Sequence, residues 1–149
     1  MAKIEISGFD EVDRMLHNLA EIPAGVKTQA LTAMAEVGEG AVRATGLVMG
    51  VRDPDSSVHI LDHIAHSKIK LTENGGKTSV TFRGSRRRGN TTTRNAEIAF
   101  VNEYGRRGQP ARPFIRQTAE QYGDAIADAG EKIIGTWFEN GGGNSPGKD

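Results

Sequence analysis

The sequence predicts an α+β domain in which an antiparallel sheet of three or four strands packs against two long helices, with a mobile arginine-rich loop. Apolar residues recur at helical spacing over two long stretches, 23–48 and 114–139. Between them, short segments alternate apolar and polar residues, as half-buried strands do. The chain of 149 residues is long enough for one domain. We therefore assign residues 1–140 to a single domain and 141–149 to a disordered, glycine-rich tail.

The composition limits the class of protein. Apolar residues make up 36% of the chain and aromatic residues 5%, so we expect a partner surface to complete a thin core. The absence of cysteine excludes disulfide scaffolds, thiol nucleophiles and cysteine-ligated metals, and it favours an intracellular origin. No apolar run is long enough to span a membrane, and the N-terminus carries acids where a signal peptide is apolar. We expect a soluble, unprocessed protein that does not bind membranes.

The first part of the chain predicts a short strand followed by two helices. Residues 3–7 alternate like an edge strand, and Asp10 is suited to cap a short helix that stops near Pro23. Pro23 then opens the long helix 23–48, because its missing N–H is harmless in a first turn. Three glycines in that helix indicate either close packing of another element or local fraying. They are Gly38, Gly40 and Gly46.

The middle of the chain predicts short elements separated by turns. Residues 58–66 have the spacing of a short helix. Residues 68–72 and 77–83 alternate like the strands of a hairpin, with Asn-Gly-Gly at 74–76 as its turn. The next segment, GSRRRGNTTTRN, has no aliphatic or aromatic side chain, so we expect a mobile loop. Residues 97–101 alternate again and predict a strand that pairs with the hairpin.

The last helix follows a turn rich in glycine and proline, YGRRGQPARP. Pro113 presets the first turn of this helix. Apolar residues then recur every three or four positions from Ile115 to Trp137. Asn140 and Gly141 are typical residues at a helix C-terminus, so we expect the helix to end there.

Catalytic and metal-binding patterns have no support in the sequence. His59, His63 and His66 share the spacing of helical zinc ligands, but HILDH lacks the glutamate of the zinc-protease motif. We interpret these histidines as the polar side of a short amphipathic helix. The phosphate-binding patterns GxGxxG and GxxxxGK[ST] do not occur. The nucleophile pattern GxSxG is matched only by GNSPG at 143–147, in the predicted disordered tail, whereas a catalytic serine of this type needs a strand-to-helix turn. We therefore predict no enzyme activity, no cofactor and no metal site.

Arginine is concentrated in one segment of a chain whose formal net charge is zero. Residues 83–116 contain nine arginines and two glutamates, a net charge of +7, whereas the segments before and after carry −3 and −4. Such a segment docks on an acidic protein surface, contacts a nucleic-acid backbone without sequence specificity, or is simply solvated. The predicted partner or DNA contacts are Arg86, Arg87, Arg88, Arg94, Arg106, Arg107 and Arg112.

Residues 96–126, AEIAFVNEYGRRGQPARPFIRQTAEQYGDAI, resemble the signature of small neck proteins of tailed bacteriophages, the tail-completion or head-tail joining proteins of siphophages. In that family a Glu-aromatic-Gly turn leads through a short loop to Ala-x-Pro-Phe at the start of the final helix. The sequence differs from the family pattern at two places, which bear on the subfamily. Arg106 stands where a threonine is common, and SSVHILDHI replaces a Thr-Gly-x-Leu stretch. The matching positions are Phe100, Glu103, Tyr104, Gly105, Ala111, Pro113 and Phe114.

The resemblance implies a non-enzymatic virion structural protein of the head-tail junction that assembles as a homo-oligomeric ring in the neck. The implied partners are further copies of the chain, the head connector or stopper, and the tail terminator or tail-tube proteins, with non-specific contact to DNA in the lumen. The implied location is the virion neck, with the host cytoplasm as the place of assembly. Two alternatives stay open: a tail terminator that caps the tail tube, and a small non-specific DNA-binding module.

Overall fold

The computed structural model describes residues 4–7, 22–51, 59–72 and 75–141, and these residues confirm the α+β class. The predicted short helix before Pro23 and the predicted tail beyond Gly141 lie outside them. In chain order the elements are β1 (Ile4–Ser7), α1 (Ala24–Val48), a 3₁₀ turn (Ile60–His63), β2 (Ile64–His66), β3 (Lys70–Thr72), β4 (Gly75–Phe82), β5 (Ser85–Arg88), β6 (Thr91–Arg94), α2 (Asn95–Tyr104) and α3 (Phe114–Glu139).

Strand β4 is the centre of the main sheet, and β1, β2 and β3 all pair with it in antiparallel fashion. β1 lies along one edge of β4, while β2 and β3 follow each other along the other edge. Residues 67–69 lie opposite only two residues of β4, which makes a β-bulge between β2 and β3. The hydroxyl of Thr78 donates to the carbonyl of Ser67 at 2.8 Å and helps satisfy the backbone at the bulge.

The predicted hairpin of 68–72 with 77–83 is confirmed by the pairing of β3 with β4, but its glycines do not form the turn. Gly75 and Gly76 belong to β4. A Cβ at Gly76 would lie 2.8 Å from the Leu31 side chain of α1 and 2.9 Å from the Lys70 carbonyl. Glycine is needed here because the helix and the neighbouring strand both approach the backbone closely.

Helices α1 and α3 pack against each other in antiparallel orientation. Met34, near the middle of α1, lies over Gly130 of α3, and Gly46, near the end of α1, lies near Phe114 at the start of α3. The core between these helices and β4 is apolar, and the ring of Phe114 packs edge-on against Phe82 at a centroid distance of 5.8 Å. Its most buried large side chains include Leu31, Val42, Ile60, Leu61, Val80 and Phe114.

The glycines of α1 have different roles. A Cβ at Gly46 would lie 2.7 Å from Cδ2 of Leu61 and 3.4 Å from the Phe114 ring, so the packing requires glycine there. Gly40 is exposed, and a Cβ on it would meet nothing within 4 Å. Close packing therefore explains Gly46, whereas no contact in the structure explains Gly40.

The predicted helix 58–66 is wrong for most of its length. Within the described residues it contains only the 3₁₀ turn Ile60–His63, after which the chain enters β2. Ile64 and His66 pair with Phe82 and Val80, so ladder hydrogen bonds to β4 replace the helical ones. Ile60, Leu61 and Ile64 have the spacing of a helix face. A tight turn followed by a strand buries the same three side chains, so the spacing does not distinguish the two structures.

The predicted strand 97–101 is also wrong, because these residues lie within helix α2. The buried residues of α2 include Ala96, Ala99 and Glu103, which recur every three or four positions as a helix face does. Ile98 and Phe100 suggest alternation, yet Phe100 is 45% exposed. Five residues are too few to separate a period of two from a period of 3.6 when small or polar residues make up the buried face.

The predicted mobile arginine-rich loop is the third correction. Residues 85–94 form a two-stranded antiparallel hairpin of β5 and β6, which we call the arginine hairpin. Gly89 occupies its turn with φ +59°, a conformation that favours glycine. Three consecutive threonines in β6 favour an extended backbone. Hydrogen bonds between the two backbones order this segment. The prediction of a loop considered only the lack of aliphatic side chains and therefore missed the strands.

Candidate functional site

Glu103 caps the last helix from a neighbouring element. Its side chain is buried, and its two carboxylate oxygens accept hydrogen bonds from the backbone N–H groups of Ile115 at 2.8 Å and Arg116 at 3.0 Å. These N–H groups belong to the first turn of α3, where helical partners are missing and negative charge is favoured. Pro113, directly before the helix, provides no side-chain cap. Glu103 therefore attaches the C-terminal end of α2 to the start of α3.

Gly105 allows the chain to reverse directly after α2. It has φ +75° and ψ 175°, a combination that is almost restricted to glycine. A Cβ there would lie 2.8 Å from the backbone nitrogen of Ala111 and 3.0 Å from the Gln109 carbonyl. Arg106 and Gln109 exchange two backbone hydrogen bonds across a tight turn. This arrangement brings Ala111 against Gly105 and directs the chain into α3.

Seven positions match the Glu-aromatic-Gly and Ala-x-Pro-Phe pattern, and we call the five of them that lie at the connection between α2 and α3 the junction. The other two, Phe100 and Tyr104, are outside this packing: they are 45% and 65% exposed, and their rings contact each other with centroids 4.8 Å apart. The two aromatic residues form an apolar patch on the outer face of α2. The five junction residues are Glu103, Gly105, Ala111, Pro113 and Phe114.

The predicted arginines are divided between outward and inward positions. Arg87 is exposed on the arginine hairpin and donates to the Gly89 carbonyl at 3.0 Å, and Arg107 is exposed at the tip of the 106–109 turn. Arg86 lies on the opposite face of the hairpin from Arg87 and is half-buried. Arg94 is exposed and paired with Glu97 at 2.9 Å. Arg88 occupies the end of β5.

An open cleft of about 660 Å³ brings three of the predicted arginines together, and we call it the arginine cleft. Arg86 enters it from the arginine hairpin, Arg106 from the turn after α2, and Arg112 from the segment before α3. A guanidinium nitrogen of Arg112 also donates to the Gly50 carbonyl at 3.0 Å, which positions this side chain. Further lining residues are Gly50, Val51, His59, Ile60, Thr93, Glu97, Ile98, Val101, Asn102 and Gln109.

The arginine cleft is cationic with apolar walls. Among the described lining residues, the acid is Glu97, which pairs with Arg94, and the cationic side chains are Arg86, Arg106 and Arg112. Val51 and Ile60 are buried apolar lining residues. His59 is 6% exposed and its Nε2 lies 3.3 Å from the Asp62 carboxylate. Its Nδ1 has no hydrogen-bond partner within the described part of the chain, which leaves a buried polar atom beside the cleft.

Helix α3 presents acids on its exposed side. Asp124, Asp128 and Glu131 are exposed and lie at i, i+4 and i+7, so they share one face of the helix. We call these three residues the acidic stripe. The molecule therefore has a cationic region on the hairpin and the 106–109 turn and an anionic region on its last helix. Opposite charges on separate surfaces are complementary between two copies of one chain.

The three histidines at helical spacing do not share a helix face in the structure. His63 ends the 3₁₀ turn and His66 lies in β2, where its Nδ1 is hydrogen-bonded to Glu39. Among the residues that the structure describes, no group of three or more histidines and acids is placed to hold a metal ion. No helix in the described ranges is both long and apolar enough to cross a membrane.

Sequence reasoning identified the arginines of the cleft but missed its walls. One face of helix α2 lines the cleft with Ile98, Val101 and Asn102. The prediction of a strand for 97–101 does not place these three residues on one face. His59, which the sequence places on the polar side of a short amphipathic helix, is instead buried and lines the cleft. Comparison of the chain with protein-family models, with curated proteins and with solved structures returned no match.

Proposed function

We propose that this chain is a non-enzymatic structural subunit of the head-tail junction of a tailed bacteriophage, where it completes the neck as a homo-oligomeric ring. The observation that carries the proposal is the junction. Within twelve positions, Glu103 caps the first turn of α3 from α2 with a buried carboxylate, and Gly105 lies close against Ala111 just before that helix begins at Phe114. The pattern residues therefore act at one place in the fold, the connection between α2 and α3, and this shared location supports the proposal beyond the matching letters.

Ring formation needs a head-to-tail contact between two unlike surfaces of the same chain. We assign the exposed arginines Arg87 and Arg107 to one side of this contact and the acidic stripe on α3 to the other. In a ring, the arginine hairpin of one copy contacts the acidic stripe of the next. The exposed rings of Phe100 and Tyr104 add apolar area that a neighbouring subunit would cover.

The proposed ring contact gives a role to each part of the fold. The two long helices, packed antiparallel on the sheet, form the rigid body, and the arginine hairpin is the contact element that extends from it. The proposed partners on the two faces of the ring are the head connector or stopper and the tail terminator or tail-tube proteins. The proposed location is the virion neck, reached after assembly in the host cytoplasm.

A charge-reversal experiment tests the ring contact. We expect the unmodified chain to form a closed ring, and we expect Arg87→Glu with Arg107→Glu to yield monomers because like charges then face each other. Asp124→Lys, Asp128→Lys and Glu131→Lys together should have the same effect, and all five changes in one chain should restore the ring. Light scattering after size-exclusion chromatography measures the mass, with Lys70→Glu on exposed β3 as the control.

The proposal fails if the unmodified chain remains a monomer at all concentrations and is not incorporated into virions. A tail terminator would form a similar ring at a different place. Antibody labelling of virions in negative-stain images separates the two, because a neck protein lies at the head vertex and a terminator lies at the upper end of the tail tube.

A small non-specific DNA-binding module is the second candidate, and the exposed Arg87 on the arginine hairpin favours it. A phosphate binder loses affinity steeply as the salt concentration rises, and each lost phosphate contact lowers that slope by about one. Replacing Arg86, Arg87 and Arg88 by alanine should then flatten the salt dependence of DNA binding. An absence of measurable binding to duplex DNA at low salt would eliminate this candidate.

A further inference from the structure

We propose that a groove beside Trp137 is an intramolecular docking site for residues 11–21 of the same chain, which pack into it through their apolar side chains. The groove lies between the start of α1 and the end of α3 and has a volume of about 370 Å³, and we call it the tryptophan groove. Its lining includes Val26, Gln29, Ile133 and Trp137. The inference goes beyond the proposed ring, because the junction lies at the opposite end of the two long helices.

The walls of the tryptophan groove are apolar and incompletely covered. Val26, Ile133 and Trp137 pack against the core on one side, yet each of them is only half-buried. The ring of Trp137 contacts Phe138 at a centroid distance of 4.7 Å, so two large aromatic side chains meet at this end of α3. Covering such walls with apolar side chains is favourable, because apolar area is removed from water.

The residues that flank residues 8–21 bring this segment to the tryptophan groove. Ile22 is buried directly before α1, one helical turn before Val26. On the other side, Ser7 of β1 pairs with Lys77 at a point where β4 lies against the first half of α1. Both ends of the connecting segment are therefore at the end of α1 that borders the groove.

The sequence of residues 11–21 supplies the apolar face that the groove requires. Val12, Met15, Leu16 and Leu19 recur at helical spacing, with polar residues on the opposite side. A helix over this segment would be about 16 Å long, enough to cross the ends of two helices packed about 8–10 Å apart. Because so short a helix is marginal by itself in water, we expect it to pack on the rest of the domain.

The C-terminal tail is a poorer occupant, although Gly141 lines the groove. Residues 142–149, GGNSPGKD, contain no aliphatic or aromatic side chain apart from Pro146. The tail therefore offers little apolar area to cover Trp137. Residues 11–21 are also held beside the groove by the chain on both sides, which gives them a high effective concentration that a separate partner lacks.

Fluorescence quenching tests the proposal, because Trp137 is the only tryptophan of the chain. We expect acrylamide to quench the unmodified chain weakly. Leu16→Ser with Leu19→Ser should raise the quenching constant about twofold or more, because the indole ring becomes accessible to solvent. His17→Ser with Asn18→Ser is the matched control on the polar side of the predicted helix, and it should leave the quenching constant unchanged.

Three results of the quenching experiment would overturn the proposal. The first is an equal change, or no change, in both pairs of variants. The second is a rise in quenching on removal of residues 142–149 that equals the rise in the Leu16 and Leu19 variant, which would identify the tail as the occupant. The third is quenching that falls as the protein concentration rises, which would identify a second copy.

A disulfide scan tests the same packing without removing several apolar side chains at once, and it decides the question if the serine variant does not fold. The chain has no cysteine, so Gln29→Cys in the groove can be combined with one further cysteine at each position from 12 to 19. Under mild oxidation, we expect the yield of the cross-link to be highest at positions 12, 15, 16 and 19 and lowest at 14 and 17. Equal yields at all positions, or a maximum on the polar side, would overturn the proposal.

Discussion

The junction and the arginine hairpin lie within the same arginine-rich segment, yet different forces hold them in place. In the junction, two buried side chains provide the order: Phe114 is fully enclosed, and Glu103 accepts hydrogen bonds from two backbone N–H groups of α3. In the arginine hairpin, backbone pairing of β5 with β6 provides the order, and most side chains point to solvent. From this comparison we expect substitutions in the junction to lower stability, and substitutions in the hairpin to affect the proposed ring contact while leaving stability nearly unchanged.

Replacement of Gly105 by alanine should produce the largest loss of stability. The backbone at Gly105 is in a region that alanine avoids, at a cost of about 1–3 kcal/mol, and the new Cβ would meet the Ala111 nitrogen at 2.8 Å. We expect the free energy of unfolding to fall by about 3 kcal/mol or more, measured by urea denaturation. Gly108→Ala is the matched control. Gly108 also has positive φ but open space around it, so we expect a loss of about 1 kcal/mol.

Replacement of Glu103 by alanine should have the next largest effect. It leaves two N–H groups of the first turn of α3 without their carboxylate partner, which costs about 2 kcal/mol. The exposed Glu97 on the same helix is the control, and Glu97→Ala should change stability by less than about 0.5 kcal/mol. Equal losses for both variants would show that helix charge, and not the cap, is responsible.

Two glycines of α1 provide a third and smaller test. Gly46→Ala should destabilise by about 1 kcal/mol, because overpacking against Leu61 and Phe114 outweighs the better helix propensity of alanine. Gly40→Ala should stabilise by about 0.5–1 kcal/mol, since its Cβ enters open space. Opposite signs in thermal unfolding are the expected result. A stabilising Gly46→Ala would contradict the close packing at the end of α1.

Substitution in the arginine hairpin should have the smallest effect on stability. Arg87 is exposed and its hydrogen bond is local, so Arg87→Ala should change the free energy of unfolding by less than about 0.5 kcal/mol. The same variant should weaken ring assembly, which analytical ultracentrifugation measures. A large loss of stability without a change in assembly would reverse the division of roles between the hairpin and the junction.

Elements with long periodic patterns were predictable from the sequence. Apolar spacing over many turns located both long helices, and alternation located the strands that form β3 and β4. Short elements failed because several structures bury the same few residues. Residues 97–101 fit a strand in isolation, but Ala96 and Glu103 on either side reveal a helix face.

The candidate site was predictable in its residue types but not in its geometry. The enrichment in arginine predicted which residues belong to the cleft. The neighbouring sequence does not show that Arg86 faces inward while Arg87 faces outward. That division depends on the arginine hairpin, which forms through backbone pairing and has no apolar pattern. The cap by Glu103 links residues twelve positions apart and leaves no periodic signal either.

The central claim is that the arginine hairpin of one copy contacts the acidic stripe of the next, and a mixing experiment tests it most directly. One variant carries Arg87→Ala and Arg107→Ala, and the other carries Asp124→Asn, Asp128→Asn and Glu131→Gln. Each variant retains one intact surface, so each alone should be a monomer of 16.0 kDa, and an equal mixture should stop at a dimer of twice that mass in native mass spectrometry. Rings formed by either variant alone, or a mixture that remains monomeric, would contradict the claim.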